Sequence, residues 1–225
     1  MSRDNMKEGF RMPGFKFSAA LLEMGQSEIM AMVPPDKLKE IKASDPHPLF
    51  KAFVVGHVGT STGYLVGVGN VVKRWIKEMI QALGKKIKAG IQLFHGHGPD
   101  NSTDGRTPIG EVISSKNQNI DGRESVVVAC HIFNSFRNLP LDIASVETTV
   151  DYTQSADGSL DIVNVDDVTG VALSSSTIDK PGFPYATLLG QIQAFELKIR
   201  KENESRLKLG YSENHTGQLP KLKLA

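Results

Sequence analysis

The sequence predicts an α+β domain in which a few helices surround a mainly antiparallel β-sheet, either open or closed into a barrel. Three observations support this class. Short apolar stretches follow one another closely, as strands do. Turn pairs such as Asp121-Gly122 and Asp157-Gly158 separate neighbouring stretches, which is typical of hairpins. The alternating strand–helix rhythm of a doubly wound parallel fold is absent.

Composition narrows the function classes. Among 225 residues, 40% are hydrophobic and 23% are charged, which is ordinary for a globular protein. The net charge of +1 gives no electrostatic argument for binding nucleic acid or an anionic membrane. The single cysteine, Cys130, rules out an intrachain disulfide and lies in an apolar run, so a buried thiol is expected. No apolar run approaches the ~20 residues of a membrane helix, and we expect a protein of a reducing compartment.

The chain divides into three parts by composition. Residues 1–14 are polar and contain Met, Pro and Gly, which predicts a flexible arm. Residues 15–199 hold the periodic apolar segments and form the expected domain. Residues 200–225 are predicted to be a polar tail or linker.

The first expected elements are a strand over Lys16–Met24, a helix over Asp36–Ala43, a strand over Leu49–Val58 and a short strand over Tyr64–Val68. Pro34-Pro35 ends the first strand, because proline cannot donate to a ladder. Gly59–Gly63, rich in Gly, Ser and Thr, is expected to be a loop.

An amphipathic helix is predicted over Val71–Leu83. Its apolar residues recur with a period close to 3.6, so one face would pack on the sheet. Asn70 is a suitable N-cap residue, and Gly84 with nearby lysines suits the C-terminal end.

The remaining strands are expected over Ile91–Phe94, Ile109–Ser114, Glu124–Phe133, Leu141–Tyr152, Leu160–Val165 and Val168–Leu173. A last helix is predicted from Pro184, since proline suits a first helical turn. Its apolar face would comprise Leu188, Leu189, Ile192, Phe195 and Ile199.

Two histidines mark the junction between the strand at Ile91 and the polar loop that follows. His95 and His97 share a strand face, because residues two apart point the same way. A histidine in this position is suited to act as a general base, since imidazole titrates near neutrality. A metal pair or ordinary loop residues are the alternatives. A zinc site from His95, His97 and His131 lacks a clear fourth ligand.

The strand Leu141–Tyr152 carries a candidate nucleophile. Ser145 and Glu147 share the face opposite Ala144 and Val146, so the Ser145 hydroxyl points away from the main apolar face. A serine on a rigid strand becomes a nucleophile if a histidine reaches it, although serines on strands are common. Gly56–Gly63 lacks the lysine of a phosphate-binding loop, and no GxSxG motif is present.

The order of these features resembles a known family. The segments LFHGHG, RTPIGEVIS, VVVACHIF, LDIASVE and DDVTGVALSSSTIDKPGFPYA follow one another in that order. Together they resemble the capsid maturation (prohead) serine proteases of tailed bacteriophages, which are themselves similar to the herpesvirus assemblins. The resemblance extends from about Leu49 to about Phe195, and the ordered set supports it rather than any single motif.

The resemblance implies roles for individual residues. Ser145 matches the nucleophile, and His97, which directly precedes the polar loop, matches the base, with His95 as the alternative. Assemblins place a second histidine on the closing strand and many phage relatives an acid, but Val168–Leu173 has neither. Asp167 and Glu147 are therefore the candidates for orienting the imidazole, and a Ser–His dyad is the other option. The loop over residues 174–181 matches the family's oxyanion loop.

The implied fold is a herpesvirus-protease-like barrel. The implied function is an endopeptidase that cleaves scaffold protein, major capsid protein and itself inside the prohead, in the host cytoplasm. No cofactor, nucleic acid or membrane is implied, and a homo-oligomer contact through the helix from Pro184 is the family analogy. The alternatives are a catalytically inactive internal scaffold protein of the prohead and an unrelated hydrolase using the histidine pair with a metal.

Overall fold

The computed structural model describes residues 24–65, 68–98 and 105–193. The predicted arm at 1–14, the tail at 200–225 and nearly all of the predicted strand Lys16–Met24 lie outside these residues. The described helices are α1 (Gln26–Ala31), α2 (Pro35–Ser44) and α3 (Lys77–Lys86), with a short 3₁₀ helix at Asn134–Phe136. None of the described helices is long and apolar enough to cross a membrane.

The described strands are β1 (Leu49–His57), β2 (Gly59–Leu65), β3 (Gly69–Trp75), β4 (Gln92–His95), β5 (Gly110–Ile120), β6 (Arg123–Ile132), β7 (Ile143–Gln154), β8 (Leu160–Ser174) and β9 (Leu188–Gln193). They form a nine-stranded sheet in the order β2-β3-β8-β4-β5-β6-β1-β9, with β7 paired to the other edge of β8. All pairings are antiparallel except β3–β8 and β4–β8. The fold is therefore mixed, with many strands and few helices.

The predicted barrel is not shown. The described ladders leave the sheet open, and an isolated bridge between Ile143 and Thr187 joins β7 to the segment before β9. The opposite edge of β7 carries the long antiparallel pairing with β8, from Ile143 opposite Ser174 to Gln154 opposite Leu160.

The core lies on both faces of the sheet, and β1 lies between its two halves. Phe50, Ala52 and Val54 face the smaller cluster beneath α1 and α2, whereas Phe53 and Val55 face the larger one. This double burial explains why the β1 segment is apolar almost throughout instead of alternating. The polar exceptions are His57 at the end of the strand and Lys51, whose Nζ donates to the Leu141 carbonyl at 3.0 Å. Burial lowers the pKa of this lysine.

Several predicted elements are confirmed. The helix expected at Asp36–Ala43 is α2, and the strand expected at Leu49–Val58 is β1. The hairpin expected around Asp121-Gly122 joins β5 to β6, and both turn residues have positive φ, 49° and 79°. This geometry favours Asp and Gly, because bulkier L-residues are strained there.

Other predictions were wrong in type or extent. The helix expected over Val71–Leu83 is strand β3 followed by α3, and the residue before α3 is Ile76, so Asn70 is not its N-cap. The loop expected at Gly59–Gly63 belongs to β2, whose residues pair with β3. The two strands expected over Leu160–Leu173 are the single strand β8.

The helix expected from Pro184 is also wrong, because its described part is strand β9, paired antiparallel with β1. The open edge of β1 offers backbone partners, and Leu189 is buried in the smaller core cluster. Tertiary pairing thus overrides the helical spacing of the apolar residues. The proposed oligomer helix is therefore not present in the described segment, and Phe195 and Ile199 lie outside the described residues.

Candidate active site

The pairing of β4, β8 and β7 brings the predicted site residues together. Phe94 of β4 lies beside Ala172 of β8, which lies opposite Ser145 of β7. The Gly96 amide donates to the Leu173 carbonyl at 2.9 Å and extends this contact past the end of β4. Gly96 has a φ of +70°, so the chain turns there before it reaches His97.

Ser145 and His97 line the same small pocket. Its other walls include Gly96, Ala172, Ser174 and Pro181. Ser145 is half-buried, and no hydrogen bond joins its hydroxyl to another described residue. The hydroxyl is thus available to a base or a substrate, and catalytic hydrogen bonds commonly shorten only when the substrate binds.

His97 contacts a buried carboxylate. Its Nδ1 lies 3.1 Å from Oε1 of Glu147, whose side chain is 1% exposed, whereas the imidazole is 36% exposed. A carboxylate accepts but does not donate, so this contact selects the tautomer with hydrogen on Nδ1. The lone pair then lies on Nε2, where a general base needs it.

Arg106 completes the surroundings of the carboxylate. Its Nη1 donates to both Glu147 oxygens, at 2.8 and 2.9 Å, and its Nη2 donates to the Gly96 carbonyl. The guanidinium also lies over the Phe94 ring, 4.1 Å from the ring centroid. The sequence interpretation missed Arg106. A predicted acid on a strand suggests a cationic partner, but no local pattern selects this arginine among 26 Lys and Arg residues.

Gly170 provides the space that the carboxylate occupies. It lies opposite Glu147 in the β7–β8 ladder. A Cβ at this position would lie 2.8 Å from Glu147 Oε2 and 3.1 Å from the Phe94 ring. Any larger residue would therefore displace the carboxylate or the ring.

We predict that Gly170→Ala impairs the site while the domain still folds. The added methyl group would push the Glu147 carboxylate away from His97, and overpacking of this kind costs roughly 1–3 kcal/mol of unfolding free energy. Denaturant unfolding and the rate of Ser145 modification by an active-site probe would be measured together. The control is Gly63→Ala, where the added Cβ would meet only the flexible end of Lys73. Equal modification rates in both variants would contradict the prediction.

The loop predicted to carry the oxyanion hole lies at the pocket. Its start is anchored to the residue before β7, because the Ser176 amide and hydroxyl both donate to the Asp142 carboxylate, each at 2.6 Å. At its end, Gly182 is close to Ser145, since a Cβ there would lie 3.3 Å from Ser145 Oγ. The Gly182 carbonyl accepts from the Thr62 amide at 2.8 Å, while the Gly182 amide donates to no other described residue.

The other predicted candidates lie apart from this arrangement. His95 is exposed at the end of β4, and Asp167 is exposed on β8 opposite Thr149. Among the described contacts, neither side chain reaches His97. Glu147 is therefore the acid that meets the histidine in this structure.

The three histidines of the considered zinc site are not gathered. His131 is buried on β6, where its Nε2 lies 3.5 Å from Asp45. Within the described ranges, no group of three or more His, Cys, Asp or Glu side chains could hold a metal ion. Cys130 is also buried, and desolvation raises the pKa of its thiol, which disfavours the nucleophilic thiolate.

The site thus combines Ser145 and His97, which line one pocket, with a buried, countercharged Glu147 that contacts Nδ1 of the histidine. This arrangement is suited to acyl transfer. Comparison of the chain with known protein families, with curated proteins and with solved structures finds no match.

Proposed function

We propose that the chain is a serine endopeptidase in which Ser145 is the nucleophile, His97 the general base and Glu147 the acid that orients the base. The observation that carries this proposal is the 3.1 Å contact between His97 Nδ1 and the buried Glu147, beside a pocket that His97 shares with Ser145. A Ser–His–acid set is recognised by geometry and roles rather than by its order in the chain.

The proposed reaction begins when His97 Nε2 takes the proton of the Ser145 hydroxyl. The Oγ then bonds to the carbon of the scissile peptide, and the carbonyl oxygen becomes an oxyanion. The same imidazole gives its proton to the leaving amine as the C–N bond breaks. In the second half, His97 takes a proton from water, the hydroxide attacks the acyl ester, and the proton returns to Ser145 Oγ.

The Gly182 amide is our candidate oxyanion donor. Gly182 lies close to Ser145, because a Cβ on Gly182 would lie 3.3 Å from Ser145 Oγ, and its amide has no acceptor among the described residues. Donors that are already oriented stabilise developing charge without reorganisation. The Asp142–Ser176 and Thr62–Gly182 hydrogen bonds hold the two ends of this loop in place.

We further propose that the substrates are the scaffold and major capsid proteins of a phage prohead, together with the chain itself. The ordered segments that resemble prohead proteases support this assignment, as does the strand-rich fold. On this proposal the fold is a relative of the herpesvirus protease barrel, and the enzyme acts without a cofactor inside the prohead in the host cytoplasm.

A fluorophosphonate probe tests the chemistry without knowledge of the cleavage sequence. Such probes phosphonylate serines that a neighbouring base has activated. We expect intact-mass analysis to show one adduct, located on Ser145 by peptide mapping and unchanged by a chelator. Ser145→Ala should show none, whereas Ser44→Ala, which loses only a helix-end contact to Ile41, should react like the wild type. An unreactive wild type would favour the inactive scaffold protein.

A further inference from the structure

We propose that Arg106 is a positioning residue of this site, acting on His97 through the Glu147 carboxylate and through the backbone of Gly96. This inference rests on the proposed function. Arg106 is not among the residues that line the pocket and has no described contact with Ser145, so its effect on the reaction would pass through the residues that hold the imidazole.

Arg106 balances the charge of the buried Glu147 carboxylate. The Glu147 side chain is 1% exposed, and an ionised carboxylate that is so buried needs a countercharge and hydrogen bonds. Arg106 supplies both, because its Nη1 contacts the two carboxylate oxygens at 2.8 and 2.9 Å. Oε1 is shared between Arg106 and His97, so the guanidinium holds the oxygen that orients the imidazole.

Arg106 also contacts the backbone next to His97. Arg106 Nη2 donates to the carbonyl of Gly96, the residue directly before His97. One rigid guanidinium therefore ties the acid to the peptide that carries the base. A lysine could place a charge near Glu147, but it cannot reproduce this planar fork.

Arg106 is more deeply buried than the histidine that it helps to position. The His97 imidazole is 36% exposed, and its described hydrogen bond is the one to Glu147. The Arg106 side chain is 13% exposed and stacks on Phe94, which is buried. The exposed His97 imidazole is thus held by Glu147, and Glu147 is held by Arg106, which packs on the buried Phe94. Groups that orient catalytic histidines are commonly fixed in this way by further contacts.

The test compares Arg106→Gln and Arg106→Lys with the control Arg74→Gln. Arg74 is 42% exposed and pairs with Asp157, so its loss should change little. Three properties would be measured on the full chain, namely the rate of Ser145 phosphonylation, the cooperativity of thermal unfolding, and the downfield proton NMR signal of His97 Nδ1–H. The last two do not depend on activity.

We expect Arg106→Gln to remain folded, to lose the His97 proton signal and to react about 10- to 100-fold more slowly with the probe. Arg106→Lys should react with the probe at a rate between those of Arg106→Gln and the wild type, because lysine keeps the positive charge but lacks the planar fork of the guanidinium. A folded Arg106→Gln that reacts at the wild-type rate and keeps the signal would overturn the proposal.

Failure of the two proposals would be distinguishable. If wild-type Ser145 does not react at all, the endopeptidase proposal falls and the positioning role falls with it. If Ser145 reacts but Arg106 variants react equally well, only the inference about Arg106 falls. Should Arg106→Gln not fold, Arg106→Lys decides, since wild-type reactivity in that variant would show that the fork is not needed.

Discussion

Replacing His97 with alanine is expected to lower the rate of substrate cleavage by about 10⁴- to 10⁶-fold, because serine loses its base when a triad histidine is removed. His95→Ala is expected to retain most of the activity. His95 is exposed and makes no described contact with Glu147, whereas His97 lies 3.1 Å from this acid. Cleavage rates of capsid protein, the proposed substrate, by the two purified variants would be compared under identical conditions.

The two histidine variants control for each other. Both substitutions remove an exposed imidazole, His95 at the end of β4 and His97 two residues beyond it, and thermal unfolding of the two proteins would show whether either change affects folding. If His95→Ala is the inactive variant and His97→Ala is active, the assignment of the base is wrong. If both variants keep wild-type rates, neither histidine is the base.

Replacing Glu147 with glutamine is expected to lower cleavage by about 10³- to 10⁴-fold, because an amide does not select the imidazole tautomer that a carboxylate selects. The change also leaves the Arg106 guanidinium, which is 13% exposed, without its countercharge. Breaking a buried pair in this way costs roughly 3–5 kcal/mol of unfolding free energy. Both quantities would be measured, the second by denaturant unfolding.

The double variant Arg106→Gln/Glu147→Gln separates the loss of activity from the loss of stability. Removing both charges should recover part of the unfolding free energy but none of the activity. The control is the single substitution Glu111→Gln. The Glu111 carboxylate is 22% exposed and lies 3.6 Å from Lys37. Wild-type cleavage by Glu147→Gln would show that the carboxylate has no part in the reaction.

Strand parity predicted part of the candidate site. Because residues two apart share a face, Ser145 and Glu147 were expected on one side of their strand, and the structure brings both to His97, Glu147 through a 3.1 Å contact and Ser145 through a shared pocket. The same parity could not separate His95 from His97. The two histidines differ because β4 ends at His95. Gly96, which has a φ of +70°, then turns the chain before His97.

Long-range pairing explains what the sequence did not predict. Nothing local shows that β4 lies parallel to β8, so the sequence could not choose between Glu147 and Asp167 as the partner of the histidine. Arg106 reaches Glu147 across 41 positions in the chain. Likewise, the residues from Leu188 have a spacing compatible with a helix, and the free edge of β1 makes them a strand.

The most direct test of the proposed activity is co-expression of the chain, as wild type or Ser145→Ala, with the proposed substrates, the capsid and scaffold proteins of a phage prohead, followed by mass spectrometry of the fragments. We expect defined fragments of both proteins with the wild type. With Ser145→Ala we expect intact proteins in shells that still assemble. Fragments that persist with Ser145→Ala would contradict Ser145 as the nucleophile, and no fragments with the wild type would contradict the endopeptidase itself.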